Sequence, residues 1–185
     1  LSANSFDPLH EALQVEDSFI DDILLKILKQ KIELYQPDLV AMSIPFPGNL
    51  YGGLKCGKWL KTNYPDTKIV MGGGYANTEL RTVKDTRVFD FIDYISLDDG
   101  EAPMIHLIEH LSGKRDISEL KRILAVSNGE VRYFNGSKEK DVPQREVGTP
   151  DYSDLPLDKY LSVIEIANPM HRLWSDGRWN KLTLA

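Results

Sequence analysis

Cysteine is nearly missing from this sequence: its 185 residues contain one, Cys56. A single thiol forms no internal disulfide, and alone it holds neither an iron–sulfur cluster nor a structural zinc. A reducing, cytoplasmic compartment is therefore expected. A basic excess is missing as well. Lys and Arg number 22 against 28 Asp and Glu, a formal net charge of −6. Phosphate backbones are repelled on average, so no nucleic-acid partner is expected. The short basic run of Lys114, Arg115, Lys121 and Arg122 reads as solvated surface near a helix end. Long apolar runs are also lacking. None approaches the roughly 20 residues of a membrane span, so no membrane partner is expected. Leu1 to Phe6 has no basic stretch leading into an apolar one, which excludes a signal peptide there. The first residue is not Met, and the expectation is a piece of a longer gene product.

Several catalytic signatures are absent too. There is no Gly-x-Ser-x-Gly elbow, no Gly-x-G-x-x-Gly leading into a helix, and no Gly-Lys-Ser/Thr of a Walker A loop. No catalysis by this chain alone is expected.

What is present is the pattern of an α/β domain. With 42% hydrophobic and 27% charged residues, the chain has the make-up of a folded globular protein rather than a disordered one. Ser18 is placed to cap a helix to Tyr35, with Asp21 three residues on as in a capping box. Ile20, Ile23, Leu24, Ile27, Leu28 and Ile32 recur at helical spacing, and Gln36-Pro37 ends the run. Leu39 to Ile44 is apolar nearly throughout, which reads as a strand buried on both faces. A loop over Pro45 to Asn49 and a helix over Leu50 to Tyr64 follow. Gly52, Gly53 and Gly57 in that helix suggest close packing or close ligand approach.

Lys68 to Met71 is a second strand running into Gly72-Gly73-Gly74, and Thr78 to Val83 suggests a short helix. A third strand lies within Phe91 to Leu97. Asp98 to Glu101 is a loop, and Pro103 suits the first turn of a helix ending at Gly113. This alternation implies right-handed crossovers and a parallel, Rossmann-like sheet flanked by helices. The loops Ser43–Asn49, Gly72–Asn77 and Asp98–Glu101 should then share the carboxyl edge, where such folds bind ligands. Beyond Gly113 a hairpin is expected, because Asn128-Gly129 sits between the apolar runs Ile123–Val126 and Val131–Phe134. Asn135 to Pro156 reads as a linker, Tyr160 to Ile166 as another strand, and Lys181 to Ala185 as the opening of one more. The division expected is residues 1–114 as the α/β domain, 115–147 as a hairpin extension, and 148–185 as a linker with a strand start.

Three groups of residues invite chemistry. Glycine after a buried strand allows backbone to approach a ligand, and equally allows a tight strand-to-helix turn. Asp98, Asp99 and Glu101 have the make-up of a metal or acid/base cluster, and also of acids that favour a helix N-terminus. His106 and His110 share a helix face, but zinc needs a third ligand, so a surface or half-buried pair is expected. His10 and His171 stand alone in polar contexts.

Three stretches together resemble one family: Pro37-Asp38-Leu39-Val40-Ala41-Met42-Ser43, Lys68-Ile69-Val70-Met71-Gly72-Gly73-Gly74, and Asp99-Gly100-Glu101. They are similar to the cobalamin-binding-type (B12-binding) domain that precedes the barrel of many radical SAM enzymes. The segment Thr149 to Leu157 resembles the connection into that barrel, and Lys181 to Ala185 its first strand. The resemblance implies an accessory domain that positions a corrin or the substrate beside a C-terminal radical SAM barrel. SAM and a [4Fe-4S] cluster would belong to the barrel, held by a Cys-x-x-x-Cys-x-x-Cys loop beyond Ala185. By position it implies cofactor contacts from Ser43, Pro45, Gly72, Gly73, Gly74, Asp99, Gly100 and Glu101. Two departures qualify it. The family's Asp-x-His-x-x-Gly motif is absent, so cobalamin would be bound without a protein histidine on cobalt. The family's first strand is also missing ahead of Leu39, and Pro45 stands where Thr or Leu is usual. The alternative is a degenerate docking or lid domain that binds no cobalamin. A flavodoxin-like or response-regulator-like domain is a weaker match, because Asp98 and Asp99 follow the third strand rather than the first.

Overall fold

A computed structural model describes residues 5–149 together with Asp151 and Ser153. The chain divides into two compact units, Leu1–Pro143 and Gln144–Ala185. In the second unit the described structure is one short helix, α6 (Gln144–Val147). The expected strands at Tyr160–Ile166 and Lys181–Ala185, and His171, lie outside the described residues.

The first unit is an α/β domain built on one five-stranded sheet in the order β1-β2-β3-β4-β5. β1 (Leu39–Ser43), β2 (Lys68–Gly72) and β3 (Tyr94–Ser96) run parallel. β4 (Ile123–Ser127) and β5 (Glu130–Phe134) are antiparallel. The sheet is therefore mixed, not purely parallel: the Asn128–Gly129 hairpin adds both its strands to the same sheet, beside β3. Asn128 and Gly129 both take positive φ, 55° and 78°, as a tight two-residue turn requires.

The helix ahead of β1 is α2 (Phe19–Tyr35), and its capping box forms as the sequence suggests. The Ser18 hydroxyl accepts from the Asp21 N–H at 3.2 Å, and the Asp21 carboxylate accepts from the Ser18 N–H at 2.9 Å. That backbone bond is the main reason the Asp21 carboxyl stays below its ordinary range. At the other end Gln36 takes a left-handed conformation and its N–H bonds the Ile32 carbonyl. An earlier helix, α1 (Asp7–Gln14), has too few apolar residues to stand out in the sequence. Phe6 and Leu13 nevertheless anchor it in the core.

One face of the sheet carries the main core. Val40 and Met42 of β1, Ile69 and Met71 of β2, Ile95 of β3 and Leu124 of β4 all belong to it. They meet Leu54 and Leu60 of α3 (Leu50–Asn63) and Ile32 of α2. Gly57 of α3 is there for space: a Cβ would fall 2.2 Å from the Phe91 carbonyl oxygen. The opposite face, by the two-residue alternation of strands, carries Val70, Ser96, Ile123 and Ala125, all buried. To that second layer α5 (Glu101–Leu111) contributes Ala102, Pro103, His106 and Leu107.

Three sequence expectations are corrected. β1 is not buried on both faces: it is the edge strand, and Ala41 and Ser43 are exposed. An apolar run of five residues does not distinguish an interior strand from an edge strand with one covered face. The short helix is α4 (Gly74–Glu79), not Thr78–Val83, because Gly74 begins the helix directly. β3 is three residues long, the chain before it being a 3-10 turn over Thr86–Asp90.

The two α3 glycines should separate by experiment. Gly57→Ala should lower stability by about 1–3 kcal/mol, as over-packing against backbone does. Gly52→Ala, whose Cβ would meet only the Leu24 side chain at 3.7 Å, should raise it by up to about 1 kcal/mol. Urea unfolding midpoints measure both, and equal midpoints would contradict this packing.

Candidate functional site at the carboxyl edge of the parallel strands

Because β1, β2 and β3 run parallel, their carboxyl ends meet one edge, and the three loops named from the sequence gather there. The first two interlock. The Ile44 N–H donates to the Gly72 carbonyl at 2.8 Å, and the Tyr75 N–H donates to the Ile44 carbonyl at 2.9 Å. Gly73 sits inside this crossing with φ 96°. A Cβ there would lie 2.8 Å from the Ile44 nitrogen and 2.9 Å from both the Ile44 oxygen and the Ser43 hydroxyl. At Gly74 a Cβ would lie 3.1 Å from the Pro45 oxygen. Ser43, Pro45, Gly73 and Gly74 are thus one close-packed backbone junction.

Gly72 differs. A Cβ there would meet nothing closer than the Ser96 oxygen at 3.5 Å, an ordinary contact. The chain's own packing does not require glycine at this position. Its strand partners explain what the missing side chain leaves open. Ser43 pairs with Gly72, and the β2–β3 register continues that row to Ser96. On the second face the row therefore reads Ser43, Gly72, Ser96, with Ala41, Val70 and Tyr94 behind it. Ser43 is exposed at one end, and Ser96 is buried at the other. The Ser96 hydroxyl has no hydrogen-bond partner. Such a group costs about 1–3 kcal/mol when left unsatisfied.

The third loop joins this edge through α4 rather than through the glycines. Asp98 has φ 60°. Its N–H donates to the Asn77 side-chain oxygen at 2.5 Å, and its carboxylate pairs with Arg81. Arg122 donates to the Asp99 carbonyl at 3.1 Å and to Asp141 at 2.7 Å. Gly100 caps α5 without a side-chain hydrogen bond, and Asp99 and Glu101 are exposed. Of the three acids, Asp98 is held by Arg81 and serves the loop. Among the described residues no group of three His, Cys, Asp or Glu side chains is placed to hold a metal ion.

The histidines do not act as a pair. His106 is buried, with Nε2 3.1 Å from a Glu139 oxygen, whereas His110 Nδ1 lies 2.9 Å from the Arg115 carbonyl. His10 packs against Phe6 and Phe91. No described histidine stands at the carboxyl edge. The stretch read as the start of a linker is instead pinned down as far as Asp141. Lys121 donates to the Glu139 carbonyl at 2.6 Å, Arg115 reaches the Glu139 carboxylate at 2.7 Å, and Arg122 holds Asp141. Sequence reasoning missed Ser96, Asn77, Arg81 and Arg122. Only Ser96 leaves a trace in the sequence, as the residue that falls level with Gly72 when the third strand is laid beside the second.

No helix among the described residues is long and apolar enough to cross a membrane.

Gly73→Ala should cost about 1–3 kcal/mol through the backbone crossing it would force apart, whereas Gly72→Ala should leave stability nearly unchanged. Thermal unfolding of the two variants checks this, and equal losses would count against the distinction. A second expectation concerns acid. The Arg122 hydrogen bond brings the Asp141 carboxyl down from its ordinary 3.8 to about 2. A carboxyl lowered in the folded state stabilises above its unfolded value, and that contribution disappears as pH falls from about 4 toward 2. Amide exchange over residues 137–141 should therefore speed up across that window, and in Asp141→Asn it should already be fast at neutral pH. No protein-family model matches this chain, and no curated protein matches it.

Proposed function

We propose that this chain is a cobalamin-binding-type accessory domain that receives the nucleotide end of a corrin at the carboxyl edge of β1–β3, beside a radical SAM barrel. One observation carries the proposal. Gly72 is the one glycine of the three that the protein's packing does not need, and it lies between an exposed hydroxyl and a buried, unpartnered one. A ligand laid along Ser43, Gly72 and Ser96 would approach the β2 backbone closely and satisfy the Ser96 hydroxyl. Corrin, when bound, would supply the cobalt chemistry. The residues at this edge fit its polar tail and offer no imidazole among the described residues, so this chain's part is to hold and orient. Ser43 and Ser96 would donate or accept hydrogen bonds, and Gly72 would leave the floor clear. Pro45 and Gly73–Gly74 would act indirectly, by fixing the loops that border it. Asp99, Gly100 and Glu101 would border it on the α5 side. SAM and a [4Fe-4S] cluster are assigned to the barrel, and cytoplasmic residence follows from the same reading.

A second reading, a docking or lid domain without corrin, draws support from a different observation. Gly73 and Gly74 are needed by the fold itself, so the triple glycine is not by itself a ligand signature.

Titration with hydroxocobalamin followed by gel filtration separates the two. The proposal expects corrin absorbance to co-elute with the protein. Ser96→Ala should weaken binding about tenfold, the size of one hydrogen bond, and leave thermal stability equal or slightly raised, since it removes an unpaired buried hydroxyl. No co-elution would support the docking reading. Co-elution that Ser96→Ala leaves unchanged would place the corrin elsewhere.

A further inference from the structure

α2 buries less of itself than its sequence prepares it to bury. Asp21, Leu25, Leu28 and Ile32 face the core and α3. Asp22, Lys26, Lys29 and Glu33 form a charged flank, with Lys29 and Glu33 paired at 3.8 Å. The remaining flank is apolar and in solvent. Ile20 is 71% exposed, Ile23 44%, Ile27 52% and Leu34 68%, and Phe19 and Tyr35 at the two ends are 77% and 68% exposed. An exposed run of this kind marks an interaction surface rather than scattered surface residues.

The arrangement of these residues says what fits them. Ile27 is the midpoint of Phe19–Tyr35. Ile20 and Leu34 lie seven residues to either side of it, and Phe19 and Tyr35 eight. The apolar flank is therefore close to symmetric about Ile27, which is what an isologous contact across a two-fold axis requires. The charges select the direction. Glu16, Asp17, Asp21 and Asp22 make the start of the helix acidic, and Lys26, Lys29 and Lys31 make its second half basic. An antiparallel pair sets acid beside base and opposes the two helix dipoles favourably. A parallel pair sets like against like. Six such side chains, at about 100 Å² each, supply on the order of 600 Å² per copy. That approaches the roughly 800 Å² per partner of a standard stable interface.

We propose that α2 is the interface of a homodimer, in which a second copy of this chain packs its α2 antiparallel across a two-fold axis at Ile27. Ile20 of each copy then meets Leu34 of the other. This is independent of the corrin reading, whose residues lie at the carboxyl edge of the sheet.

Sedimentation equilibrium of the full chain in the micromolar range tests it. The wild type should run at twice the chain mass, and Ile27→Glu at the chain mass with an unchanged circular dichroism spectrum. Ile20→Lys alone and Leu34→Glu alone should each weaken the dimer about tenfold. The two together should restore it, because each lysine then faces a glutamate across the axis. A monomeric wild type overturns the proposal, and so does a dimer that survives Ile27→Glu. A double variant no tighter than the single ones overturns the antiparallel register.

Discussion

The structure depends on one backbone crossing. Two hydrogen bonds tie Ile44 to the end of β2, one from its N–H to Gly72 and one to its carbonyl from Tyr75. They fix where β1 ends, where α4 begins, and which way both loops leave the sheet. The crossing tolerates no side chain at Gly73, whose Cβ would press on three atoms at once. Everything at the carboxyl edge follows from it. α4 starts without a cap because Gly73 turns the chain straight into it. Asn77 of α4 is then in place to receive the Asp98 N–H, and Arg81 to hold its carboxylate. The left-handed Asp98 is thus held by two contacts from a helix whose position the crossing sets. A left-handed non-glycine residue costs roughly 1–2 kcal/mol, and it persists where surrounding contacts determine it.

Much of this fold was legible in the sequence, and the places where it was not have physical causes. The Ser18–Asp21 box, the Gln36-Pro37 stop and the Asn128-Gly129 turn are local: the residues that make the feature lie within a few positions of each other. The order of strands and their edges is not local. Leu39–Met42 reads as an interior strand because its apolar content is set by α2, α3 and β2, which cover one face, and nothing within five residues reports that the other face is open. The hairpin was expected as an extension, yet β4 joins β3 through Leu124 and Ile95, a pairing that sequence spacing does not announce. α1 escaped notice because two residues, Phe6 and Leu13, carry its burial.

The site was legible to the same degree. The three loops were placed on one edge by topology alone, which the parallel register of β1, β2 and β3 bears out. The glycines could not be sorted by spacing, since a tight turn and a ligand cradle both call for Gly after a strand. Coordinates sort them one at a time. Gly73 and Gly74 answer to neighbouring backbone, and Gly72 answers to none. Ser96 shows the limit from the other side: a serine in an apolar strand carries no signal until the register sets it beside Gly72.

Three buried polar atoms in the described structure lack a partner: Ser96 Oγ, His106 Nδ1 and Arg122 Nε. They are not equivalent. His106 keeps Nε2 against Glu139, and Arg122 keeps Nη2 on Asp141 and Asp99. Each of those side chains is anchored through another atom, and its unpaired nitrogen is a side effect of that anchoring. Serine has one polar side-chain atom. Ser96 therefore gains nothing from the fold in exchange for burying its hydroxyl, where alanine would fill the position at no cost in hydrogen bonding. A buried polar group without an internal partner calls for a partner from outside. Ser96 lies at the closed end of the one row on this sheet where a glycine leaves the floor clear. The packing defect and the open floor are adjacent, and a ligand with a polar tail resolves both with a single occupancy.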